Sequence, residues 1–247
     1  MLGELSGYWC DGRFLSNVMA EAALVSCICV TRNRVALLSR AVHSFLQQTY
    51  SPCELIILYE ADDIETRSYV RTLSESRIVP MEVQAMPCLS LGSLRNIAVR
   101  DARGQYIAQW DDDDWSAPTR LAEQMQAIRT SSRSGCVLLR WTLYDSLTRR
   151  AMLSSQRLWE GSLVAERLAV PTFAELEKGE VATAVVHMFN ASQLVGLDRP
   201  ELYVFVYHGA NMWDRLHWDT VITAGAAALS PEVSLGIERQ LQFPSPI

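Results

Sequence analysis

Short apolar runs and segments of helical period alternate along the first half of this 247-residue chain. The run from Leu24 to Val30 is apolar and rich in β-formers, as expected of a strand buried on both faces. After it, apolar residues recur at helical spacing from Leu38 to Phe45. Because this alternation continues to about residue 133, it predicts an α/β fold. We expect a mostly parallel central sheet with right-handed crossovers and helices on both faces.

The same periodicities place the remaining elements. In the first half they predict strands at 55–59, 80–86 and 106–110, and helices at 64–73, 94–103 and 121–128. In the less regular second half they predict strands at 137–144, 152–159 and 202–207, and helices at 173–178, up to 189, and at 213–228. We therefore divide the chain into an N-terminal extension (1–23), a regular α/β part (24–133) and an elaborated C-terminal part of the same domain (134–247).

Polar motifs follow three of the predicted strands, at 31–34, 60–63 and 111–114. The carboxyl ends of parallel strands meet at one edge of a sheet, and ligands of open α/β sheets bind there. The three motifs are therefore predicted to converge on one site.

The last of these motifs, Asp111 to Asp114, consists of four adjacent carboxylates. Such groups repel one another, so a fold tolerates them best where a cation or hydrogen-bond donors neutralise them. Mg²⁺ or Mn²⁺ takes one or two protein carboxylates together with substrate phosphates, which suits a loop at a strand end. The alternative is an acidic turn exposed to solvent, with Asp114 capping the following helix.

Overall charge and apolar segments exclude several classes of protein. The net charge of −6 argues against a nucleic-acid partner, which needs clustered Lys and Arg. No stretch reaches the roughly 20 apolar residues of a membrane span. Glu4, Asp11 and Arg13 interrupt any signal-peptide core near the N-terminus. We therefore expect a cytoplasmic protein without a transmembrane segment, and peripheral association with a membrane stays open.

The six cysteines show neither C-x-x-C pairs nor the Cys/His spacing of zinc sites. Cys27, Cys29 and Cys53 lie in apolar runs that are predicted strands, where a thiol acts as a small hydrophobic group. The cysteines are therefore predicted to be reduced packing residues, which agrees with a cytoplasmic location.

Two segments resemble the hallmarks of the family 2 glycosyltransferases of the GT-A fold. VSCICVTRNRVALLSRAVHSFLQQTYSPCELIIL (25–58) is similar to the opening of that family, and GSLRNIAVRDARGQYIAQWDDDDWSAPTRL (92–121) to its A-R-N and D-x-D stretches. The motifs occur in the family's order and spacing. The resemblance implies a GT-A fold, a nucleotide-sugar donor bound by residues 24–133, an acceptor side in residues 134–247, and Mn²⁺ or Mg²⁺ as cofactor.

The resemblance also implies residues that bind the donor. Val30, Thr31 and Arg32 stand where the family's P-T-Y contacts the nucleoside, with Val30 and Arg32 replacing Pro and Tyr. Glu60 stands at the second Asp of the family's D-D, which binds the base, and Tyr59 replaces the first. We expect a UDP-sugar as the donor.

Further residues are implied near the diphosphate. Arg95 lies in the A-R-N motif at a helix start, where a guanidinium and free N–H groups can meet phosphate oxygens. Asp111 and Asp112 are expected near the ribose, and Asp113 is expected to hold the metal. His208, after a predicted strand, is the candidate second metal ligand, since imidazole suits Mn²⁺.

The catalytic base is sought in KGEVATAVV (178–186), where the resemblance places an E-D motif. Inverting transfer needs a carboxylate that takes the proton of the acceptor hydroxyl. Glu180 matches the Glu of that motif, whereas Val181 replaces the Asp, and Asp214 is the second candidate. The acceptor is expected to be a saccharide or a lipid-linked saccharide, and tryptophans of the second half are candidates to stack on it.

Two other functions stay open. The altered E-D motif and the missing Tyr after Thr31 are compatible with an inactive relative that binds a nucleotide or glycan. A nucleotidyltransferase shares the sheet and the metal chemistry, but it needs a Gly-rich phosphate loop near the first strand, and residues 30–35 contain no glycine.

Overall fold

The computed structural model describes residues 22–86 and 88–241, and the backbone of two short strands nearer the N-terminus. The strands are β1 (Trp9–Cys10), β2 (Arg13–Phe14), β3 (Val25–Val30), β4 (Cys53–Glu60), β5 (Ile78–Val83), β6 (Tyr106–Gln109), β7 (Trp115–Ser116), β8 (Gly135–Leu138), β9 (Thr142–Asp145), β10 (Arg150–Leu153), β11 (Trp159–Glu166), β12 (Leu194–Leu197), β13 (Tyr203–Tyr207) and β14 (Ala227–Ala228). The α-helices are α1 (Val35–Leu46), α2 (Ile64–Val70), α3 (Leu91–Asp101), α4 (Arg120–Ser131), α5 (Glu180–Asn190), α6 (Arg215–His217) and α7 (Pro231–Leu241). Most of the predicted 1–23 extension lies outside the described residues.

The central sheet has seven strands in the order β12-β8-β11-β6-β3-β4-β5. Strands β6, β3, β4 and β5 are parallel to one another, and β12 is parallel to β8. Only β11 runs against its neighbours β6 and β8. The predicted α/β fold with a mostly parallel sheet is therefore confirmed.

Helices cover both faces of this sheet, because its central strands are apolar on both sides. All eight residues of β4 are buried. On one face Cys27, Cys29 and Ile57 pack against α1 and α4. On the other face Ile28 and Ile56 pack against α3 and α5. The two-sided arrangement of helices expected from the sequence is thus present.

A second sheet of five strands, in the order β14-β10-β9-β13-β7, belongs to the C-terminal part. Its strand β13 is parallel to β9 and antiparallel to β7. Strand β7 directly follows the acidic run, so the β13–β7 ladder ties the second half of the chain to Asp111–Asp114. Strands β8, β11 and β12 of the second half also complete the central sheet, and the two halves share one body.

Two predicted strands are wrong in their extent. The segment 137–144 is two strands, β8 in the central sheet and β9 in the second sheet. The backbone changes partners between them: the N–H of Leu139 donates to Leu197 O, whereas that of Trp141 donates to Ser154 Oγ. The segment 152–159 likewise divides into the end of β10 and the start of β11.

Two predicted helices are also wrong. Residues 173–178 form no helix, because the side chain of Asn96 in α3 bonds both the N–H and the C=O of Phe173 at 2.9 Å each and takes these groups out of a helical pattern. Residues 213–228 form only the three-residue α6 and a π-helical turn, Trp218–Ile222. Gly225 then adopts a φ of 70° and turns the chain into β14. Within the described residues, no helix is long and apolar enough to cross a bilayer.

Candidate active site

A cavity of about 480 Å³ opens at the carboxyl ends of the parallel strands. All three polar motifs contribute side chains to it, so the predicted convergence at this edge of the sheet is confirmed. The N-terminal turn of α5 and Phe205 of β13 also line this cavity. Of the predicted site residues, these line the cavity: Val30, Thr31, Arg32, Glu60, Arg95, Asp111, Asp112, Asp113 and Glu180.

The first two carboxylates of the acidic run have separate partners. Asp111 Oδ1 accepts from Arg95 Nη2 at 2.8 Å and from Gln109 Nε2 at 2.7 Å. Asp112 Oδ2 accepts from the Thr31 hydroxyl at 2.6 Å. Burial, reinforced by the neighbouring negative charge of Asp113, raises the pKa of Asp112 to about 7. This part of the cavity therefore favours additional positive charge.

Asp114 has a structural role. It accepts from the Tyr203 hydroxyl at 2.6 Å and from the N–H of Val206 at 2.8 Å, both in β13. Burial first, and then its acidic neighbours, raise the pKa of Asp114 well above its usual range. Helix α4 begins with Thr119 as its N-cap and has no side-chain cap. The alternative in which Asp114 caps this helix is therefore wrong.

Asp113 faces His208 across the end of the second sheet. Because β13 runs antiparallel to β7, with Val204 opposite Trp115, the residue after β13 comes back beside the acidic run. Asp113 Oδ2 lies 3.1 Å from His208 Nε2 and 3.3 Å from Arg34 Nη1.

This pair provides one carboxylate oxygen and one imidazole nitrogen. No cluster of three or more His, Cys, Asp or Glu side chains suited to a metal occurs in the described part of the chain. Two protein ligands are nevertheless enough for an ion whose remaining positions are filled by diphosphate oxygens and water, and the mixed N/O set suits Mn²⁺. Asp113 and His208 therefore fit a metal that is shared with a substrate.

Glu60 lies at the end of β4, on the wall next to Thr31. It is 4% exposed, and its Oε2 is paired with Arg32. Its Oε1 is buried and has no hydrogen-bond partner in the described structure. A buried acceptor without a donor is costly, and this arrangement suits a ligand that donates an N–H group there. A nucleobase has such groups.

Glu180 is the first residue of α5 and is only 2% exposed. Its Oε1 is paired with Arg95 Nη1, and the other arm of Arg95 bonds Asp111. Helix α3 packs closely against the segment before α5 and against Glu180 itself, since a Cβ on Gly92 would overlap the carbonyl oxygen of Ala174 and lie 3.3 Å from Glu180 Cβ. Glu180 therefore stands at a helix start that is buried and not exposed to solvent.

Asp214, the second candidate base, does not line the cavity. It is exposed and caps α6, accepting from the N–H of His217 at 2.9 Å. Of the tryptophans considered for stacking, Trp159 and Trp218 are core residues with 0% and 2% exposure. Trp141 and Trp213 line the cavity.

Sequence reasoning missed several lining residues. Arg34 is within 3.5 Å of Asp112 and 3.3 Å of Asp113, and its place in the motif at 31–34 was a usable signal. Lys178, two residues before Glu180, had a signal as well, because it is the only lysine in the chain. Gln109 gave none, since a glutamine inside a strand indicates no particular chemistry.

Comparison with known proteins identifies the family. The model of glycosyl transferase family 2 matches residues 26–192, more than half of the chain. The chain therefore belongs to glycosyl transferase family 2. The UDP-Glc:alpha-D-GlcNAc-diphosphoundecaprenol beta-1,3-glucosyltransferase WfaP of Escherichia coli is 31% identical over 43% of this chain and 42% of that protein. The putative colanic acid biosynthesis glycosyl transferase WcaA of E. coli K12 is 36% identical over 42% of this chain and 37% of that protein. The matches thus span less than half the length of either relative.

Solved structures agree on the fold. S. aureus TarS (residues 1–349) in complex with UDP-GlcNAc has a TM-score of 0.59 at 15% identity, over 88% of this chain and 65% of that one. GalNAc-T7 with UDP, GalNAc and Mn²⁺ has a TM-score of 0.60 at 13% identity, over 79% of this chain and 46% of that one. The mannosyltransferase PcManGT from Pyrobaculum calidifontis, in complex with GDP-Man and Mn²⁺, has a TM-score of 0.52 at 17% identity, over 76% and 57%. The fold is that of the GT-A glycosyltransferases.

Proposed function

We propose that the protein is an inverting, metal-assisted glycosyltransferase that moves a sugar from a nucleotide-diphosphate sugar to a hydroxyl acceptor. One observation carries the proposal. A single cavity at the strand ends is lined by Glu60 with its unpartnered buried acceptor, by Asp113 and by the buried carboxylate of Glu180, and His208 contacts Asp113 from behind this lining. These are the parts needed to bind a base, a metal-bound diphosphate and an acceptor hydroxyl. Residues 24–133 hold the donor in this proposal, and residues 134–247 form the acceptor side.

A UDP-sugar is the favoured donor. TarS, a fold relative, is in complex with UDP-GlcNAc, whereas PcManGT is in complex with GDP-Man. In this chain Val30, Thr31 and Arg32 would bound the nucleoside. Glu60 Oε1 offers one free acceptor, and Arg32 already occupies Oε2. Uracil presents one N–H donor at its pairing edge, whereas guanine presents two donor groups side by side. The single free acceptor therefore favours uracil.

Asp113 and His208 would hold Mn²⁺ or Mg²⁺ against the diphosphate. When bound, such an ion neutralises the negative charge that develops on the leaving nucleoside diphosphate. Asp111 and Asp112 would lie near the ribose. Arg95 keeps its guanidinium between Asp111 and Glu180, and so it fixes the spacing between the donor side and the base.

Glu180 is the proposed general base. The acceptor hydroxyl gives its proton to the carboxylate as its oxygen attacks the anomeric carbon, on the face opposite the departing diphosphate. The bond to the diphosphate oxygen breaks with its electron pair, and the configuration inverts. Asp214 remains the second candidate, although its exposed position on α6 separates it from the cavity wall.

The acceptor is proposed to be a saccharide or a lipid-linked saccharide. The name of WfaP specifies a GlcNAc-diphosphoundecaprenol acceptor for that relative. Peripheral membrane association of this chain would accompany a lipid-linked acceptor. A cytoplasmic location is part of the proposal and is supported by the cysteines, because all five in the described part are free thiols.

An inactive nucleotide-binding module is the second candidate. Two observations favour it: Arg95 already engages Glu180, and Val181 replaces the acidic residue that follows Glu180 in the family pattern. Such a protein would bind a nucleotide without turnover.

Release of UDP from UDP-sugars separates the two candidates. We expect UDP-glucose or UDP-N-acetylglucosamine to be hydrolysed slowly in Mn²⁺ and not in EDTA, and the Asp113→Ala variant to be inactive. UDP binding without any turnover across donors and acceptors would support the inactive module. Absence of both binding and turnover would contradict the proposed function.

A further inference from the structure

The cationic side chains that line the cavity differ in whether a carboxylate already neutralises them. All four lining arginines have carboxylate partners. For Lys178, by contrast, no salt bridge occurs among the residues that the structure describes. It is exposed at the cavity rim and is the only lysine in a chain whose other basic side chains are arginines. The rim therefore has one cation with its charge available to a ligand.

The Lys178 side chain is held in place by an aromatic ring. Its Nζ lies 4.4 Å from the centre of the Trp213 ring. Trp213 in turn stacks on His217, with ring centres 4.0 Å apart and an angle of 15° between the planes. A cation–π contact orients the ammonium group without removing its charge. The three side chains form a stack, which we call the Lys178 stack.

The start of α5 adds partial positive charge beside Lys178. This 11-residue helix has Gly179 as its N-cap, with a φ of 79° and no side-chain cap. A Cβ on Gly179 would meet nothing within 4 Å, so the space before the helix is open. Val181 and Ala182 of the first turn line the same cavity. Uncapped N–H groups at a helix N-terminus attract anions.

Two further groups point to a ligand at this wall. Trp141 is 4% exposed and lines the cavity, and its buried Nε1 has no partner in the described structure. Arg157 also lines this wall. Burial first, and then the charge of Arg157, lower the pKa of His217, whereas Asp214 opposes the shift. The cavity thus offers an anion the ammonium group of Lys178, the N–H groups of the first turn of α5 and an unused N–H donor of Trp141.

We propose that Lys178 and the first turn of α5 form a subsite for an anionic group, a carboxylate or a phosphate, carried by the acceptor saccharide. The inference rests on the proposed function, because the same helix turn carries Glu180 and the acceptor hydroxyl must approach it. It adds a substrate class: a uronic-acid-containing or phosphate-bearing acceptor. A neutral saccharide would leave the Lys178 charge without a partner.

The single lysine gives a direct probe. Reductive methylation with ¹³C-formaldehyde keeps the charge of Lys178 and yields one lysine signal, separate from that of the N-terminal amine. The labelled protein, saturated with UDP and the diamagnetic ion Mg²⁺, is titrated with methyl glucuronide as its free carboxylate, glucose 1-phosphate and neutral methyl glucoside. We expect an anionic sugar to shift the Lys178 signal and methyl glucoside to leave it unchanged. A shift with glucuronide identifies a carboxylate subsite, and a shift with glucose 1-phosphate a phosphate subsite.

Variants give the matching affinities by calorimetry. Lys178→Gln should weaken binding of the anionic sugar by about tenfold or more, as expected for loss of a charge-assisted hydrogen bond. The same substitution should leave the affinity for UDP unchanged. Arg100→Gln, which alters an exposed charge of α3 outside the cavity, should change neither. Equal shifts with all three sugars, no shift, or a shift caused by UDP itself would overturn the inference. Failure of UDP to bind would instead refute the proposed function on which it rests.

Discussion

At the scale of residues, Asp111 to Asp114 are four identical side chains with four different sets of partners. Asp114 is bound to β13, Asp112 to Thr31, Asp111 to Arg95, and Asp113 faces His208. Asp111, Asp112 and Asp114 are thus held by hydrogen-bond donors of the protein. Asp113 accepts a longer contact of 3.3 Å from Arg34, and because its other contact is an imidazole we propose it as the carboxylate that shares a metal with a substrate.

Replacement of the proposed metal ligands should make nucleotide binding less dependent on the metal ion. We expect Asp113→Ala and His208→Ala each to weaken Mn²⁺-dependent UDP binding by about tenfold or more, since even secondary groups of metal sites contribute 10- to 100-fold. Calorimetry with and without Mn²⁺ measures the effect. Asp101→Ala, which changes an exposed carboxylate of α3, is the control. Unchanged metal-dependent binding in Asp113→Ala would show that the metal is held elsewhere.

Glu180 and Asp214 can be separated by kinetics. Glu180→Gln should lower kcat by about 10² to 10⁴ and leave donor Kd nearly unchanged, as expected for loss of a general base. Asp214→Asn should keep full turnover, because Asn caps a helix about as well as Asp. If Asp214→Asn lost activity and Glu180→Gln kept it, the base would have to be reassigned to the segment before α6.

At the scale of elements, the loop that carries the acidic run is fastened to β13. The Tyr203 hydroxyl donates to Asp114 at 2.6 Å inside the protein. Tyr203→Phe leaves this buried oxygen without its donor, which costs about 1–3 kcal/mol. We expect a lower urea midpoint and a smaller effect of Mn²⁺ on UDP affinity. Tyr106→Phe is the control, because its hydroxyl contact with Glu166 is exposed and 3.4 Å long. An unchanged midpoint in Tyr203→Phe would contradict this role.

The strands also determine which thiols react. Cys27 and Cys29 of β3 are fully buried, and burial raises the pKa of both thiols well above the usual range. Cys88 is exposed at the cavity. In a Cys10→Ser background, thiol titration of native protein should therefore find Cys88 alone, more slowly when UDP and Mn²⁺ are bound. Fast labelling of a second thiol would show that the β3 core is accessible.

The elements differ in how well the sequence predicted them. From β3 to α4, the predicted apolar runs are strands of the central sheet and the helical stripes pack on its faces, so local periodicity is sufficient. The predictions for segments 137–144 and 213–228 were wrong because tertiary contacts determine the secondary structure of these segments. The side chain of Trp141 packs in the hydrophobic cluster of the second sheet, and the chain turns at Gly225. Neither feature changes the apolar pattern of the sequence.

The same limit applies to the site. The motifs at 31–34 and 111–114 could be assigned to the site because the ends of buried strands can be predicted from the sequence. The approach of His208 to Asp113, 95 residues away, depends on the β13–β7 ladder. The pairing of Glu180 with Arg95 depends on the packing of α5 near α3. Such contacts between distant residues do not follow from periodicity, and here the family resemblance pointed to the participants.

At the scale of the whole molecule, both sheets contribute to one cavity, with the proposed donor side at the strand ends and the proposed acceptor side at α5 and the segment before α6. A ligand that bridges these walls should stabilise the entire fold. A ligand at 100 times its Kd stabilises by about 2.7 kcal/mol. For a chain of this size, each kcal/mol raises Tm by roughly 2–4 °C.

The most direct test of the proposed donor site is therefore a thermal-shift screen of UDP, GDP, ADP and CDP, each with Mn²⁺ and with EDTA. We expect UDP with Mn²⁺ to raise Tm by about 5–10 °C, more than any other nucleotide, and EDTA to remove most of the increase. Equal stabilisation by all four nucleotides, or a UDP effect that survives EDTA, would contradict the proposed metal-bound UDP-sugar site.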